Sequence, residues 1–350
     1  MEFLQEIGVF LVQAVILVAS ILLVLAGVAV INSRRRGGDD GYIEVRRLNE
    51  RYSAYRDAIR SMTEHPEGRK TREKEEKKAA KEADKKALRR VKGELEEPDK
   101  KRLFVLHFDG DMGATQVESL REEISALLPE AGKGDEVLIC LESPGGLVHG
   151  YGLAASQLQR IRDAGVTLTV SVDKVAASGG YMMACVADKI IAAPFAVLGS
   201  IGVIAQLPNF HRLLKKNDID VELLTAGEYK RTLTMFGENT DKGREKFIHD
   251  LEEVHTLFKQ FVKERRPVID VEEVATGEIW YGQTALSVHL IDELGTSDAY
   301  IQSQLDDADI LEVCYTPKKT WQEKLGFAAE GALERTFMKL WQKGTFKQLL

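Results

Sequence analysis

The feature that most constrains the fold of this chain is a regular alternation of short apolar runs and amphipathic stretches, which begins at Leu103. Short apolar runs, which predict strands, lie at residues 103–108, 136–141, 166–172, 189–193, 221–225 and 311–315. Stretches with apolar residues at helical spacing lie at residues 116–128, 150–164, 181–186, 241–266, 282–288 and 297–305. Strands that are apolar on both faces and alternate with helices are typical of a parallel sheet covered by helices. The sequence therefore predicts an α/β fold of this kind.

A long apolar run lies near the N-terminus, at residues 8–31, where only Gln13 and Ser20 are polar. A run of that length can cross a bilayer. A cleaved signal peptide has a basic start and a shorter apolar run, whereas this chain begins with Glu2 and Glu6. We therefore predict an uncleaved transmembrane anchor in residues 1–33, with the lipid bilayer as a partner.

Three arginines at positions 34–36 follow the predicted anchor. The positive-inside rule would place the rest of the chain in the cytoplasm. A second charge-free stretch, residues 190–208, contains Pro194, Gly199 and Gly202. Because irregular backbone is not tolerated facing lipid, we predict a buried strand and a loop there and no second span.

The remaining segments differ in composition. Residues 34–101 are rich in Lys, Glu and Ala and are basic on balance, which predicts a charged stem that is either a solvated helix or a disordered tether. Residues 102–315 form the predicted acidic globular domain, and residues 316–350 a C-terminal helix that docks on a neighbouring subunit or lies on a membrane. Within the stem, a helix that either pairs with copies of itself or packs on its own domain is predicted by apolar residues at heptad spacing, namely Val45, Leu48, Tyr52, Tyr55, Ile59 and Met62.

Composition excludes several classes of site. The three cysteines are too few and too scattered for a disulfide framework, and the seven histidines have no paired metal-ligand spacing. The globular part has no basic patch with interleaved aromatic residues. We therefore expect no metal, no cofactor and no nucleic acid.

Ser178 is the candidate nucleophile. It lies in residues 173–183 (DKVAASGGYMM), where an apolar run ends, two glycines follow and a helix is predicted to begin. Acyl-transfer enzymes place small neighbours and the free N–H groups of a helix start around a nucleophilic serine. A serine that only caps the helix explains the same residues, and for this motif alone it is the simpler interpretation.

A glycine-rich loop, residues 143–146 (SPGG), follows the predicted strand at residues 136–141. Because the carboxyl ends of parallel strands meet at one edge of a sheet, this loop can lie close to Ser178. An N–H group of Gly145 or Gly146, together with that of Gly179, would form an oxyanion hole. An ordinary turn between a strand and a helix is the alternative.

Two residues are candidates for the base that would activate Ser178. His149 lies close to the glycine-rich loop, but Lys230, in the sequence AGEYKRTL just past a predicted strand, is the better candidate. A lysine amine accepts a proton only when it is neutral, which burial favours. Tyr229, Leu233 and Ser178 could supply an apolar shell, whereas most lysines are solvated surface charges.

The motifs SPGG, AASGGYMMA, LGSIGVI and GEYKRT, in this order, resemble those of the signal peptide peptidase A family (S49) of membrane serine proteases. The resemblance covers about residues 103–300 and the layout with an N-terminal anchor and a charged tether. It implies a Clp-protease-like (crotonase-like) fold, no cofactor, a single copy of the domain and a homo-oligomer.

The resemblance also implies the roles of individual residues. Ser178 would be the nucleophile of a Ser–Lys dyad, and Lys230 the general base and acid. Ser200 would hydrogen-bond the lysine and orient it. Gly146 and Gly179 would donate the N–H groups of the oxyanion hole. The dyad can be shared between subunits in such an assembly.

The predicted function is that of a membrane-anchored serine endopeptidase that hydrolyses peptides, signal-peptide remnants or membrane-associated proteins at the bacterial inner membrane. The side of the membrane stays open, because the three arginines favour the cytoplasm while long members of the family work on the periplasmic side. Two alternatives are a crotonase-like acyl-CoA enzyme, which would not need Ser178, and a non-catalytic oligomeric membrane scaffold.

Overall fold

A seven-stranded sheet and the helices around it position the candidate site. The computed structural model of the protein describes residues 41–91 and 100–318. The strands are β1 (Tyr42–Arg47), β2 (Lys101–Asp109), β3 (Glu136–Glu142), β4 (Thr167–Val172), β5 (Val175–Ala177), β6 (Lys189–Ala192), β7 (Val197–Gly199), β8 (Ile279–Tyr281), β9 (Glu293–Leu294) and β10 (Ala308–Thr316). The helices are α1 (Leu48–Thr63), α2 (Pro66–Val91), α3 (Val117–Leu127), α4 (Val148–Asp163), α5 (Gly179–Ala184), α6 (His211–Lys216), α7 (Asp241–Arg265), α8 (Val271–Val274), α9 (Gly282–Ser287) and α10 (Ser297–Ser303).

The strand order in the main sheet is β1-β10-β2-β3-β4-β6-β9. The strands from β10 to β9 pair in parallel. The carboxyl ends of β3 and β4 are therefore neighbours at one edge, as the apolar runs predict. The α/β fold expected from the sequence is confirmed.

Both faces of the central strands are buried. Successive side chains of a strand point to opposite faces, so one strand contributes to two hydrophobic clusters. Phe104, Leu106 and Phe108 of β2 belong to the larger hydrophobic cluster, which includes residues of α3, α4 and α5. Leu103 and Val105 belong to a smaller cluster on α1 and α10. The helices thus cover the sheet on both sides, which explains why its strands are almost continuously apolar.

A second, three-stranded sheet in the order β5-β7-β8 carries the site residues. β5 pairs in parallel with β7, and β7 pairs antiparallel with β8. These three-residue strands have no signal in the sequence, because they are too short to show a period. The strand predicted at residues 221–225 is wrong, since this stretch is irregular and exposed.

The segment that the sequence analysis assigned to the stem contributes to the fold. Tyr42–Arg47 is the strand β1 beside β10, so the helix predicted to begin there is wrong for these residues. Leu48 is buried and Tyr52 packs against the same small cluster, which matches the alternative that this helix packs on its own domain. Further along α1, Tyr55, Ile59 and Met62 are exposed. Pro66–Val91 is helical, in agreement with the solvated-helix alternative.

The predicted anchor at residues 8–31 and the predicted helix at residues 321–341 lie outside the described residues. Among residues 41–91 and 100–318, every helix is too short or too polar to span a membrane. The charge-free stretch at residues 190–208 begins with the buried strand β6 and continues as a loop and β7, as predicted.

Candidate active site

Ser178 has an unusual backbone conformation. It follows β5 and precedes α5, with φ 51° and ψ −116°. A residue with a Cβ atom seldom adopts a positive φ, and such a conformation costs on the order of 1–3 kcal/mol. Two hydrogen bonds hold it there, because the Ser178 N–H donates to Gly199 O at 2.8 Å and its carbonyl accepts from Met182 N–H at 3.0 Å.

The Ser178 hydroxyl does not cap the helix. Although Ser178 occupies the N-cap position of α5, its side chain makes no capping hydrogen bond. Nor does it bond any other group within the part of the chain that the structure describes. The cap interpretation is therefore wrong, and the side chain is half-buried with its oxygen available to a substrate.

The glycine-rich loop lies directly against Ser178. Ser143 forms a parallel bridge with Ala176 of β5. This bridge joins the end of β3 to the turn that carries the candidate nucleophile Ser178, which we call the nucleophile turn. Gly145 has φ +89°, and a Cβ atom there would lie 2.7 Å from the Cβ of Ser178. Only glycine allows the loop to approach so closely. The predicted proximity of the loop and the serine is thus observed.

Two backbone N–H groups beside Ser178 are available to a ligand. The N–H groups of Gly146 and Gly179 donate to no group among the described residues, whereas the Gly145 N–H bonds Ser143 Oγ at 3.1 Å. Both glycines line one cavity together with Ser178. Of the two donors considered for the loop, Gly146 is therefore the one left free.

Tyr151 holds the glycine-rich loop next to Ser178, although no sequence pattern marks this residue. Its ring is fully buried on α4, and its hydroxyl donates to Asp111 O at 2.7 Å. The Tyr151 oxygen lies 2.6 Å from Ser143 Oγ, so the serine hydroxyl can donate to it. Burial raises the pKa of Tyr151, which keeps the phenol neutral. A Cβ atom on Gly179 would collide with the Tyr151 ring.

Ser200 is held beside the nucleophile turn by the second sheet. It follows β7 with φ 49°, and its N–H donates to Glu278 O at 2.7 Å. Because Gly199 accepts the N–H of Ser178, the backbones at Ser178 and Ser200 are linked through one hydrogen bond. The structure therefore brings Ser178, Ser200, Gly146 and Gly179 into one region.

A small cavity opens at Ser178. Its volume is about 20 Å³, which is space for about one water molecule. Beyond Ser178 and its glycines, it is lined by Val148, Met182, Gly202, Val203, Val254 and Phe258. The walls are mostly apolar, so the cavity suits a small uncharged side chain.

Lys230 is not part of this region in the single chain. It does not line the cavity, its side chain is exposed, and its amine makes no hydrogen bond or ion pair with residues 41–91 and 100–318. The expected apolar shell does not form, since Tyr229 is also exposed. The neighbouring segment, residues 203–240, exposes large apolar side chains at Ile204, Leu207, Phe210, Leu213, Ile219, Val221, Leu223, Leu224, Tyr229 and Phe236.

Two further groups of polar side chains lie away from the cavity: His149, the other base considered from sequence, and a cluster on α7 that the structure adds. His149 is exposed on α4 and does not line the cavity. On α7, ligand-type atoms of His249, Asp250 and Glu253 lie within 4.8 Å of one another, but Asp250 is paired with Lys246. The absence of a metal and of a cofactor stays a prediction.

The sequence matches known protein families and curated relatives over most of its length. Residues 2–158 match the family described as "Peptidase family S49 N-terminal", and residues 160–310 match "Peptidase family S49". The chain is 50% identical over 333 residues to the probable protease SohB of Haemophilus influenzae, which covers 94% of each chain. It is 55% identical over 242 residues to the probable protease SohB of Buchnera aphidicola subsp. Acyrthosiphon pisum, covering 69% of this chain and 72% of that protein.

Solved structures give a more distant comparison. A mutant of the 1510-N membrane-bound stomatin-specific protease superimposes with a TM-score of 0.42 at 12% identity, covering 63% of this chain and 100% of that chain. A second mutant of that protease, in complex with a substrate peptide, has a TM-score of 0.41 at 12% identity and covers 65% of this chain and 97% of that chain.

Proposed function

The chain belongs to peptidase family S49, and on that premise we propose that it is a membrane-anchored serine endopeptidase with a Ser178–Lys230 dyad. The family assigns a peptidase, so the acyl-CoA enzyme and the scaffold are set aside. The observation that carries the assignment of Ser178 is its strained backbone, with an unbonded hydroxyl beside the free N–H groups of Gly146 and Gly179. A strained backbone at a reactive group is a frequent property of functional sites.

The proposed reaction is hydrolysis of a peptide bond. Lys230 takes the proton of the Ser178 hydroxyl, whose oxygen attacks the carbonyl carbon of the substrate. The N–H groups of Gly146 and Gly179 stabilise the resulting oxyanion, and one such donor contributes about 10²–10³-fold in rate. Protonated Lys230 then protonates the leaving amine, and water hydrolyses the acyl-enzyme. Ser200 orients the amine.

Lys230 is proposed to reach Ser178 from a neighbouring copy of the chain. A lysine can act as the base only when it is shielded from water, and in the single chain Lys230 is exposed. The same segment presents ten large apolar side chains to solvent, including Ile204 at 89% and Leu224 at 90% exposure. Large exposed apolar patches mark interaction surfaces. Assembly of copies through residues 203–240 would bury these side chains and the amine together.

The anchor and the finer fold class complete the proposal. We place residues 8–31 in the bacterial inner membrane, because that run is long enough to span it. The parallel main sheet with a small second sheet is compatible with a Clp-protease-like (crotonase-like) fold. The catalytic side of the membrane can be read from digestion of spheroplasts by an added protease, which cuts the domain only if it is periplasmic.

Mixed assemblies test the shared dyad. The variants Ser178→Ala and Lys230→Met should each be inactive against an unstructured peptide. When both are co-expressed with different tags and purified through both tags, activity should return. At equal amounts of two chains in a symmetric ring, about a quarter of the sites would pair an intact Ser178 with an intact Lys230.

The controls of this experiment separate its parts. Assemblies that carry only one variant, purified in the same way, must stay inactive. A serine-directed phosphonate should label the Lys230→Met chain in the mixed assembly, because only that chain has Ser178. A mixed assembly as inactive as its parents contradicts a dyad shared between copies, and activity in the Ser178→Ala variant alone contradicts the serine mechanism.

The cavity predicts a preference for small residues on the N-terminal side of the cleaved bond. The cavity has space for about one water molecule, which is close to the size of the alanine methyl group, whereas a leucine side chain must displace packed side chains. In a peptide series that differs at this position only, kcat/KM for alanine should exceed that for leucine by at least about tenfold. Val254→Ala, which enlarges the cavity, should reduce this ratio.

Leu257→Ala is the matched control for that series. Leu257 lies on the same helix, is exposed and does not line the cavity, so its removal should leave the preference unchanged. Equal kcat/KM values for alanine and leucine peptides in the wild-type enzyme would contradict the assignment of this cavity to the substrate.

A further inference from the structure

His255 connects the proposed active site to the long helix α7. Its Nε2 lies 3.2 Å from Ile201 O and 3.0 Å from Ala275 O. Both partners are carbonyl oxygens, which only accept hydrogen bonds, so Nε2 must carry the proton. One N–H group is therefore shared between two loops that are 74 positions apart in the sequence.

Both loops belong to the surroundings of Ser200. Ile201 is the next residue after Ser200 and precedes Gly202 and Val203, which line the cavity. Ala275 ends α8 and leads to Glu278, whose carbonyl accepts the Ser200 N–H at 2.7 Å. A Cβ atom on Gly202 would lie 3.1 Å from Gly277 Cα, so the two loops are in close contact.

The position of His255 on α7 ties these loops to the part of the cavity wall that α7 supplies. Val254, the preceding residue, and Phe258, one turn further on, line the cavity themselves. One helix thus supplies one wall directly and holds the other wall through the His255 N–H. Without this donor, two carbonyls lose a partner, and the segment from Ser200 to Val203 is no longer bonded to α7.

We propose that His255 is a positioning residue, whose Nε2–H fixes the segment from Ser200 to Val203 relative to Ser178 and so sets both the width of the cavity and the direction of Ser200. The inference rests on the proposed function, because it assumes that Ser178 attacks the substrate beside this cavity. A misplacement of about 1 Å is enough to cost about 10²-fold in rate.

The test compares four full-length variants. His255→Leu removes the donor at similar volume, and kcat/KM for an alanine peptide should fall by about 10–100-fold. His255→Gln keeps an amide N–H that can reach both carbonyls and should stay within a few-fold of the wild type. The side chain in His255→Asn is one methylene shorter than that in His255→Gln, so its kcat/KM should lie between those of His255→Gln and His255→Leu or be as low as that of His255→Leu. His249→Leu, an exposed histidine on the same helix, is the matched control and should leave kcat/KM unchanged.

The ratio of kcat/KM for alanine and leucine peptides gives a second readout, which a general loss of stability would not move. In His255→Leu the loosened wall should reduce this ratio by at least about fivefold, while thermal unfolding is followed in parallel. If His255→Leu does not fold, the comparison of His255→Gln with His255→Asn decides. Equal kcat/KM values and an unchanged ratio across the folded His255 variants would overturn the proposal.

A failure of the proposed function is recognised separately. Activity that survives in Ser178→Ala shows that another group attacks the substrate, whatever the His255 variants do. If Ser178→Ala is inactive while the His255 variants keep the kcat/KM of the wild type, only the positioning role of His255 is rejected.

Discussion

Replacing Ser178 by glycine is expected to abolish peptide hydrolysis and at the same time to stabilise the fold. The hydroxyl is the proposed attacking group, and loss of such a nucleophile reduces kcat by at least about 10⁴-fold. The stabilisation has a different origin. Ser178 has φ 51°, which glycine adopts without the steric cost that a Cβ atom brings.

The comparison of Ser178→Gly with Ser178→Ala separates the two effects. Alanine lacks the hydroxyl but keeps the Cβ atom, which lies close to the position that a Cβ on Gly145 would take. Both variants should be inactive, and the glycine variant should be more stable than the alanine variant by about 1 kcal/mol. Urea unfolding of the purified proteins and hydrolysis of an unstructured peptide measure the two quantities.

Ser156→Gly provides the control for the stability effect. Ser156 lies within α4, where its hydroxyl bonds Gly152 O at 2.8 Å. Glycine inside a helix is destabilising by about 0.5–1 kcal/mol, so this substitution should lower stability. A Ser178→Gly variant no more stable than Ser178→Ala would contradict the strain, and more than about 1% residual activity would contradict the role of the hydroxyl.

The sequence predicts how the glycine-rich loop lies relative to Ser178, because this placement depends on the sheet. Strands β3 and β4 are visible as apolar runs, and the rule that parallel strands end at one edge brings the glycine-rich loop to Ser178. The positions of Gly146 and Gly179 follow from that rule. The family motifs add Ser200, whose backbone lies next to the nucleophile turn and whose role stays a prediction.

Other parts of the structure have no signal in a single sequence. The edge strand β1 has mostly exposed side chains, so it lacks the alternating pattern of a half-buried strand, and its Val45 happens to extend a helical spacing. The bonds of His255 and Tyr151 are made to distant backbone atoms, which no local pattern reveals. Lys230 is exposed in the single chain, and in the proposed assembly a neighbouring copy would supply its surroundings, which no local sequence pattern reveals.

Glu123 is expected to make the stability of the folded protein depend on pH. It lies on the buried side of α3, with only 6% of its surface exposed. One carboxylate oxygen accepts the Tyr315 N–H at 2.8 Å, while Oε2 is buried without a partner among residues 41–91 and 100–318. Burial raises the pKa of Glu123 from 4.5 to about 7, and the Tyr315 hydrogen bond opposes this only in part.

The sign of the effect follows from the raised pKa. In the unfolded chain Glu123 ionises near its ordinary pKa of 4.5, whereas the folded protein keeps its proton up to about pH 7. Between these values the folded state binds more protons, so stability falls as pH rises. The loss is complete above about pH 7 and amounts to on the order of 3 kcal/mol.

Glu123→Gln should remove this pH dependence, because glutamine has a similar volume, can accept the Tyr315 N–H and stays neutral. The difference in unfolding free energy between variant and wild type should grow from near zero at about pH 4.5 to on the order of 3 kcal/mol at about pH 8. Urea unfolding at a series of pH values measures it. Glu122→Gln, at an exposed position of the same helix, should give a difference that hardly changes with pH. A constant difference for Glu123→Gln would mean that the carboxylate is already ionised in the folded protein. The carboxylate would then need a partner for Oε2 that residues 41–91 and 100–318 do not supply.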